Sequence, residues 1–147
     1  MTKQTISTFL WFDNNAAEAA AFYCSIFPNA KLSPTAGQGA SFELDGQRYI
    51  AFNGGPHYTL TPAVSLMIQV DTQAEIDSLW SKFISSGGTE SQCGWLTDKF
   101  GLSWQIIPKS LLSLIGDKDP AKAQRATQAM LKMGTIDLAA IEAAHRG

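Results

Sequence analysis

An internal repeat constrains this chain more than any single motif does. Residues 63–80 (AVSLMIQVDTQAEIDSLW) read as an alternating strand that runs into Asp71-Thr72 and then into an amphipathic helix. The same figure occurs earlier, where residues 6–13 (ISTFLWFD) run into Asn14, Asn15, Ala16, Ala17 and Glu18, with Phe22-Tyr23 where Leu79-Trp80 stand later. Ala17-Glu18 maps onto Ala74-Glu75 at an offset of 57, and Asp13 onto Asp71 at an offset of 58. A one-residue bulge at the exit of the first strand accounts for the difference. The chain is two copies of one supersecondary unit.

Each copy continues alike. Phe42–Asp45 and Gln47–Asn53 are alternating runs joined at Asp45-Gly46, a pair that favours the left-handed dihedrals of a tight hairpin. Gly94–Asp98 and Leu102–Ile107 are joined through Lys99, Phe100 and Gly101. The unit is a strand, a helix and a run of antiparallel strands, made twice.

At 147 residues the chain is long enough to bury a sizeable core, and a single domain is expected: repeat one over about 5–54, repeat two over about 63–108 and a tail over about 109–147. No apolar run reaches membrane-spanning length, and no basic segment leads into an apolar one at the N-terminus. Cys24 and Cys93 lack metal-ligand spacing, so a reduced, cytoplasmic protein is expected. The net charge is −2 with scattered Lys and Arg, which argues against nucleic acid and gives no reason to invoke an anionic membrane.

The pattern predicts a first helix over about 16–26, capped by Asn14 or Asn15 and ended by Pro28-Asn29. Ser33 to Gly39 reads as a flexible connection, and residues 54–62 (GGPHYTLTP) as irregular backbone between the copies. The second helix is expected over about 73–84, stopping at Gly87-Gly88. Past Pro108 the chain leaves the repeat. One or two helical turns over 110–115 precede a helix opened by Asp119-Pro120 and running to about Met133, then a last helix over roughly 137–144. Met130, Leu131 and Met133 suit docking on the sheet or on a second subunit.

This organisation resembles the vicinal oxygen chelate superfamily of glyoxalase I, bleomycin- and fosfomycin-resistance proteins and extradiol dioxygenases. Phe9–Asp13 with Ala17-Glu18 and Phe22-Tyr23, the Gly54-Gly55-Pro56 loop, residues 62–66 (PAVSL), 93–98 (CGWLTD), Phe100-Gly101, 103–108 (SWQIIP) and 133–140 (MGTIDLAA) resemble its PhnB-like branch, often labelled 3-demethylubiquinone-9 3-methyltransferase. The resemblance implies an α+β fold: two βαβββ repeats whose curled mixed sheets form a cup, plus a helical tail. It also implies a homodimer.

In metal-dependent members the resemblance implies four His, Gln or Glu ligands, one from each of four strands, with the metal acting as a Lewis acid on adjacent substrate oxygens. Carried onto this chain, those positions fall on Ser7 or Thr8, on Ile50 or Ala51, on Ser65 and on Gln105. Gln105 alone is a credible ligand, and no cofactor or metal is expected. The methyltransferase label finds no matching motif, because Gly37-Gln38-Gly39 is too short and sits between strands expected to be antiparallel.

Alternation along the strands places Ser65, Met67 and Gln69 on the cup side, with Leu66, Ile68 and Val70 on the helix side. By the offset, Ser7, Phe9 and Trp11 face the cup from the first copy, and Ser103, Gln105 and Ile107 from the last strand. The ligand-binding candidates are Ser7, Phe9, Trp11, Asn53, His57, Ser65, Met67, Gln69, Trp95 and Gln105. Each has a plainer reading. Trp11, Trp95 and Trp104 can fill core, Gln69 and Gln105 can be structural amides, and His57 is either a rim base or a solvated loop residue. Cys93 lacks a neighbouring cation to activate it, and Asp98 reads as a turn residue.

The leading reading is a protein that binds a small organic ligand in the cup without the usual metal. The alternatives are a metal-dependent lyase, isomerase or oxygenase holding its metal through Gln105, a methyltransferase-like protein by label, and a dimeric scaffold with a filled cup.

Overall fold

The computed structural model describes residues 5–35 and 38–147, in two compact units, 1–60 and 61–147. In the first unit, β1 (Thr8–Phe12) leads into α1 (Ala16–Ile26), and β2 (Ala30–Thr35), β3 (Gly39–Leu44) and β4 (Gln47–Asn53) follow. They form a four-stranded sheet in the order β1-β4-β3-β2, with β1 parallel to β4 and the other pairs antiparallel. Asp45 and Gly46 both take positive φ (52° and 82°), as the hairpin between β3 and β4 requires.

Alternation decides which face is buried. Leu10, Phe12, Phe42, Leu44, Tyr49 and Ala51 lie under α1, whose Ala16, Ala19, Ala20, Tyr23 and Ile26 are buried against them. Three alanines on that helix let it sit close to the sheet, while Tyr23 supplies the large contact against Phe42, with ring centroids 5.9 Å apart. Full burial of each large apolar side chain is worth roughly 1.5–3 kcal/mol.

The second unit repeats the plan. β5 (Ser65–Val70), α2 (Gln73–Ser85), β6 (Thr89–Glu90), β7 (Trp95–Thr97) and β8 (Ser103–Pro108) form a sheet in the order β5-β8-β7-β6, with β5 parallel to β8. Thr72 opens α2 with a capping box, its hydroxyl accepting from Glu75 N while Glu75 Oε1 accepts from Thr72 N. Ile76, Trp80 and Phe83 bury against the sheet, where Leu96, Trp104 and Ile106 await them, and Phe83 meets Trp104 at 5.0 Å. Trp104 therefore belongs to the core and not to a cup lining.

The repeat is visible in main-chain bonding. Gly54 N donates to Phe12 O, and Lys109 N donates to Val70 O, both at 2.8 Å. The last strand of each copy thus ends against the first in the same way, and the offset that relates β1 to β5 holds in space.

Two local expectations need correction. Ser33, Pro34 and Thr35 are not connection but the end of β2, and Gly39 begins β3; Ala36 and Gly37 lie outside the described residues. Proline is tolerated there because β2 is an edge strand. Asn15 occupies the N-cap of α1 without a side-chain bond, and Ala16 N donates instead to Asn53 Oδ1 at 2.8 Å. The two-residue β6 carries too little pattern to be read from sequence.

The tail docks on its own unit. α3 (Leu111–Ile115), α4 (Pro120–Leu131) and α5 (Leu138–Arg146) pack on one another, with Asp119 capping α4 and Asp137 capping α5. Cys93 N and Gly94 N donate to Met133 O and Gly134 O, each at 2.8 Å, across a turn where both donors have positive φ. Gln73 fixes the next residues, donating to Ile136 O at 2.8 Å and accepting from Leu138 N at 2.9 Å, and Ile136 is fully buried. The Asp119 main-chain N–H and then His145, 2.8 Å away, hold the Asp117 carboxyl below its usual range.

Asp98 ties the β7–β8 turn to the core. Its carboxylate is buried and accepts from Phe100 N (2.8 Å), Leu102 N (3.0 Å) and the Trp104 indole N–H (2.8 Å). Asp98→Ala leaves three donors without that acceptor and is expected to cost about 3 kcal/mol in urea unfolding, against under about 0.5 kcal/mol for Asp45→Asn at the exposed hairpin. Equal midpoints for the two variants would remove Asp98 from this role.

Candidate functional site

Each unit has one sheet face covered by its helix, and candidate binding residues stand on the opposite face. In the first unit the parallel register sets Phe9 beside Ile50 and Trp11 beside Phe52. The rings form a chain of contacts. Phe9 meets Phe52 at 5.2 Å, Phe52 meets Trp11 at 5.4 Å, Trp11 meets Tyr58 at 5.0 Å, and Tyr58 meets His57 at 4.5 Å. Phe9 and Tyr58 are nevertheless 55% and 62% exposed. Trp11 is half-buried, and its indole N–H donates to Gly55 O at 2.9 Å. That bond draws the indole over Gly54, where a Cβ would stand 2.2 Å from the ring. The Gly54-Gly55 loop is therefore the rest on which Trp11 lies.

In the second unit the corresponding face carries amides and hydroxyls. Gln105 Nε2 donates to Ser65 Oγ at 3.0 Å, Met67 is 47% exposed, and Gln69 is exposed. Trp95 is half-buried and pairs in register with Gln105. Ser103 and Ile107 share this face by alternation but are buried, and the Ser103 hydroxyl has no hydrogen-bond partner. A buried hydroxyl in that state calls for a polar group beside it.

The other candidates separate. Ser7 is half-buried just ahead of β1. Asn53 alternates to the helix side of β4, where its side-chain oxygen takes the first N–H of α1, so it serves the fold. His57 is exposed at the far end of the ring chain. Phe52 and Tyr58 belong to that chain without having been singled out. Alternation from Asn53 points to Phe52, whereas Tyr58 lies in a loop whose path no periodicity gives.

The pairing registers relate the positions that the resemblance implies for metal ligands in the two copies. Gln105 stands beside Met67 as Ile50 stands beside Phe9, so Ile50 is the counterpart of Gln105, and Ala51 is buried under α1. The donor set is then Ser7 or Thr8, Ile50, Ser65 and Gln105, which offers hydroxyls, one amide already donating to Ser65, and a hydrocarbon. Divalent Ni, Mn, Fe or Zn is held by imidazole, thiolate or carboxylate, so these residues do not fit it. Among the described residues no three His, Cys, Asp or Glu side chains are grouped to hold a metal. Burial pushes the Cys24 thiol and the Tyr49 phenol up, away from their anionic forms.

The two sheets and their helices define the glyoxalase/bleomycin-resistance fold. A Listeria monocytogenes fosfomycin-resistance protein, FosX, superposes with a TM-score of 0.54 at 14% identity, over 74% of this chain and 94% of its own. A Pseudomonas aeruginosa protein superposes at 0.58 with 20% identity, over 72% and 98%. A family profile described as 3-demethylubiquinone-9 3-methyltransferase matches residues 4–107, and this chain belongs to that PhnB-like family. A Bacillus cereus PhnB protein, provisionally named as such a methyltransferase, is 32% identical over 71% of this chain and 99% of its own, with a TM-score of 0.62. No curated protein sequence matches the chain.

Gly54→Ala is expected to push the Trp11 indole off the loop. The measurable result is a changed near-ultraviolet circular dichroism spectrum and a loss of about 1–3 kcal/mol in stability. An unchanged spectrum would show that the loop, and not the ring, gives way.

Proposed function

We propose that this protein binds a small organic ligand through a planar apolar group laid on the bare face of the first sheet. The observation that carries this is the ring chain Phe9–Phe52–Trp11–Tyr58, left exposed at both ends on a face that its own helix does not cover. Exposed contiguous apolar surface marks a place where something binds. Ring-on-ring contact adds about 0.5–1.5 kcal/mol per pair beyond burial. Trp11, pinned by its hydrogen bond to Gly55, is the rigid part of that bed.

Residues at the metal-ligand positions carry neither charge nor imidazole, so the proposed binding is metal-independent and no Lewis-acid step is derived. Methyl transfer has no support in the residues either. The two junctions from a parallel strand into a helix, Asp13–Asn15 and Asp71-Thr72, contain no glycine for a methyl donor's cradle.

The direct test titrates the protein with the uncharged fluorophore N-phenyl-1-naphthylamine. Saturable binding, weakened roughly fivefold by Phe9→Ala and again by Trp11→Ala, is expected from the size of one aromatic contact. Unchanged affinity in both variants would sink the reading. In parallel, calorimetric titration with Ni, Co, Mn, Fe and Zn is expected to show no stoichiometric uptake. Uptake abolished by Gln105→Ala would overturn the metal-independent part.

We also propose that the chain forms a homodimer. Leu112 and Leu131 of the tail are 52% and 57% exposed, which supports a further covering surface. No helix among the described residues is long and apolar enough to cross a membrane. Light scattering on the eluting protein should give twice the monomer mass, with Leu131→Asp shifting it toward the monomer. A monomer at tens of micromolar would refute it.

A further inference from the structure

The bare face of the first sheet changes character along its strands. Two residues from the Phe52 and Trp11 row, Ile50 stands between Phe9 and Ser41, with Ser33 beyond. Two residues further, Arg48 pairs with Glu43, which pairs with Lys31. Three charged side chains thus stand in one row across three neighbouring strands, about 10 Å from first to last. Lys31, Ser33, Ser41, Glu43 and Arg48 line a cavity of about 460 Å³, with Phe42 and Tyr49 at its wall. None of these residues belongs to the ring chain, and none occupies a metal-ligand position.

We propose that this cavity is a second subsite for the anionic group of the ligand, so that the protein takes a planar aromatic anion lengthwise on the sheet. The proposal rests on the reading that the ring chain binds the planar group. The row carries two cations and one anion, a net positive end on a chain whose total charge is −2. Arg48 offers a flat fork suited to a carboxylate or sulfonate, and Lys31 adds a point charge on the edge strand. Ser33 and Ser41 lie side by side in register between the charged row and the rings, the Ser41 hydroxyl donating to Ser33 O at 3.4 Å and the Ser33 hydroxyl adding a polar group beside it. At about 3.3 Å per residue, the step from Phe52 to Arg48 along β4 spans about 13 Å. That sets the reach of the ligand. Its flat part covers Phe9, Ile50 and Phe52, and its acid lies two to four residues further along.

Glu43 gives the proposal a signature. Its carboxylate sits in the middle of the row and opposes any anion placed there, so the site is weaker than its two cations alone would make it. Neutralising Glu43 should tighten binding of an anion and leave an uncharged probe of the same skeleton unchanged, a split that partial unfolding, which exposes apolar surface to both, does not give. For a ligand held by apolar contact only, the same change should do nothing.

The test compares two fluorophores of nearly the same flat skeleton, 8-anilinonaphthalene-1-sulfonate and the uncharged N-phenyl-1-naphthylamine. The sulfonate is expected to bind roughly three- to tenfold tighter at low salt, with the advantage shrinking as salt rises. Lys31→Gln with Arg48→Gln should abolish the difference and leave the uncharged probe unaffected, and Glu43→Gln should enlarge it. Equal affinities for the two probes, or a preference that survives in the double variant, would overturn the charged subsite while leaving the ring chain's role intact. Failure of both probes to bind would overturn that role and the subsite with it.

Discussion

Parallel pairing between the first and last strands of each repeat is the constraint from which the architecture follows. Two parallel neighbours cannot be joined by a turn, so chain must cross over between them. In each copy that crossover contains the helix, which covers one face of the sheet and only one. In β1 and β4 this sorts the residues into core and bare face, and a shift of one residue would exchange the two sets. Leu10 and Phe12 are buried because Phe9 and Trp11 are not.

The two sheets share one strand order but carry different residues on the face opposite the helix. Where the second copy sets Gln105 beside Met67, the first sets Ile50 beside Phe9. One face is built of rings and ends in charges; the other carries hydroxyls, the amides of Gln69 and Gln105, Met67 and Trp95. Gly54 N to Phe12 O and Lys109 N to Val70 O close the two sheets alike, although β6 and β7 are much shorter than β2 and β3. The fold supplies a place to bind, and the residue types decide what chemistry that place can do.

Local signals made much of this legible. Asp45-Gly46 announced its hairpin because few residue pairs tolerate positive φ twice in succession. α1 and α2 were marked by apolar spacing and by the residues that end them, and Asp119-Pro120 opened α4 as expected. What escaped depends on partners distant in sequence. The cap on α1 comes from Asn53, 37 residues away from Ala16, so Asn15 looked like the donor's partner and was not. Pro34 hid β2, because only a knowledge of strand order shows that β2 is an edge. The choice between Ile50 and Ala51 waited on the register of β1 against β4. The charged row is invisible in sequence for the same reason: Lys31, Glu43 and Arg48 are brought together by pairing and by nothing local.

The tail meets the second unit partly through main-chain atoms, Cys93 and Gly94 to Met133 and Gly134, and the family match ends at residue 107, before the tail begins. Bonds of that kind read backbone shape, not side-chain identity. That part of the seat depends on the left-handed turn that presents the two donors, while the buried Ile136 and the Gln73 amide tie the rest of it to particular side chains.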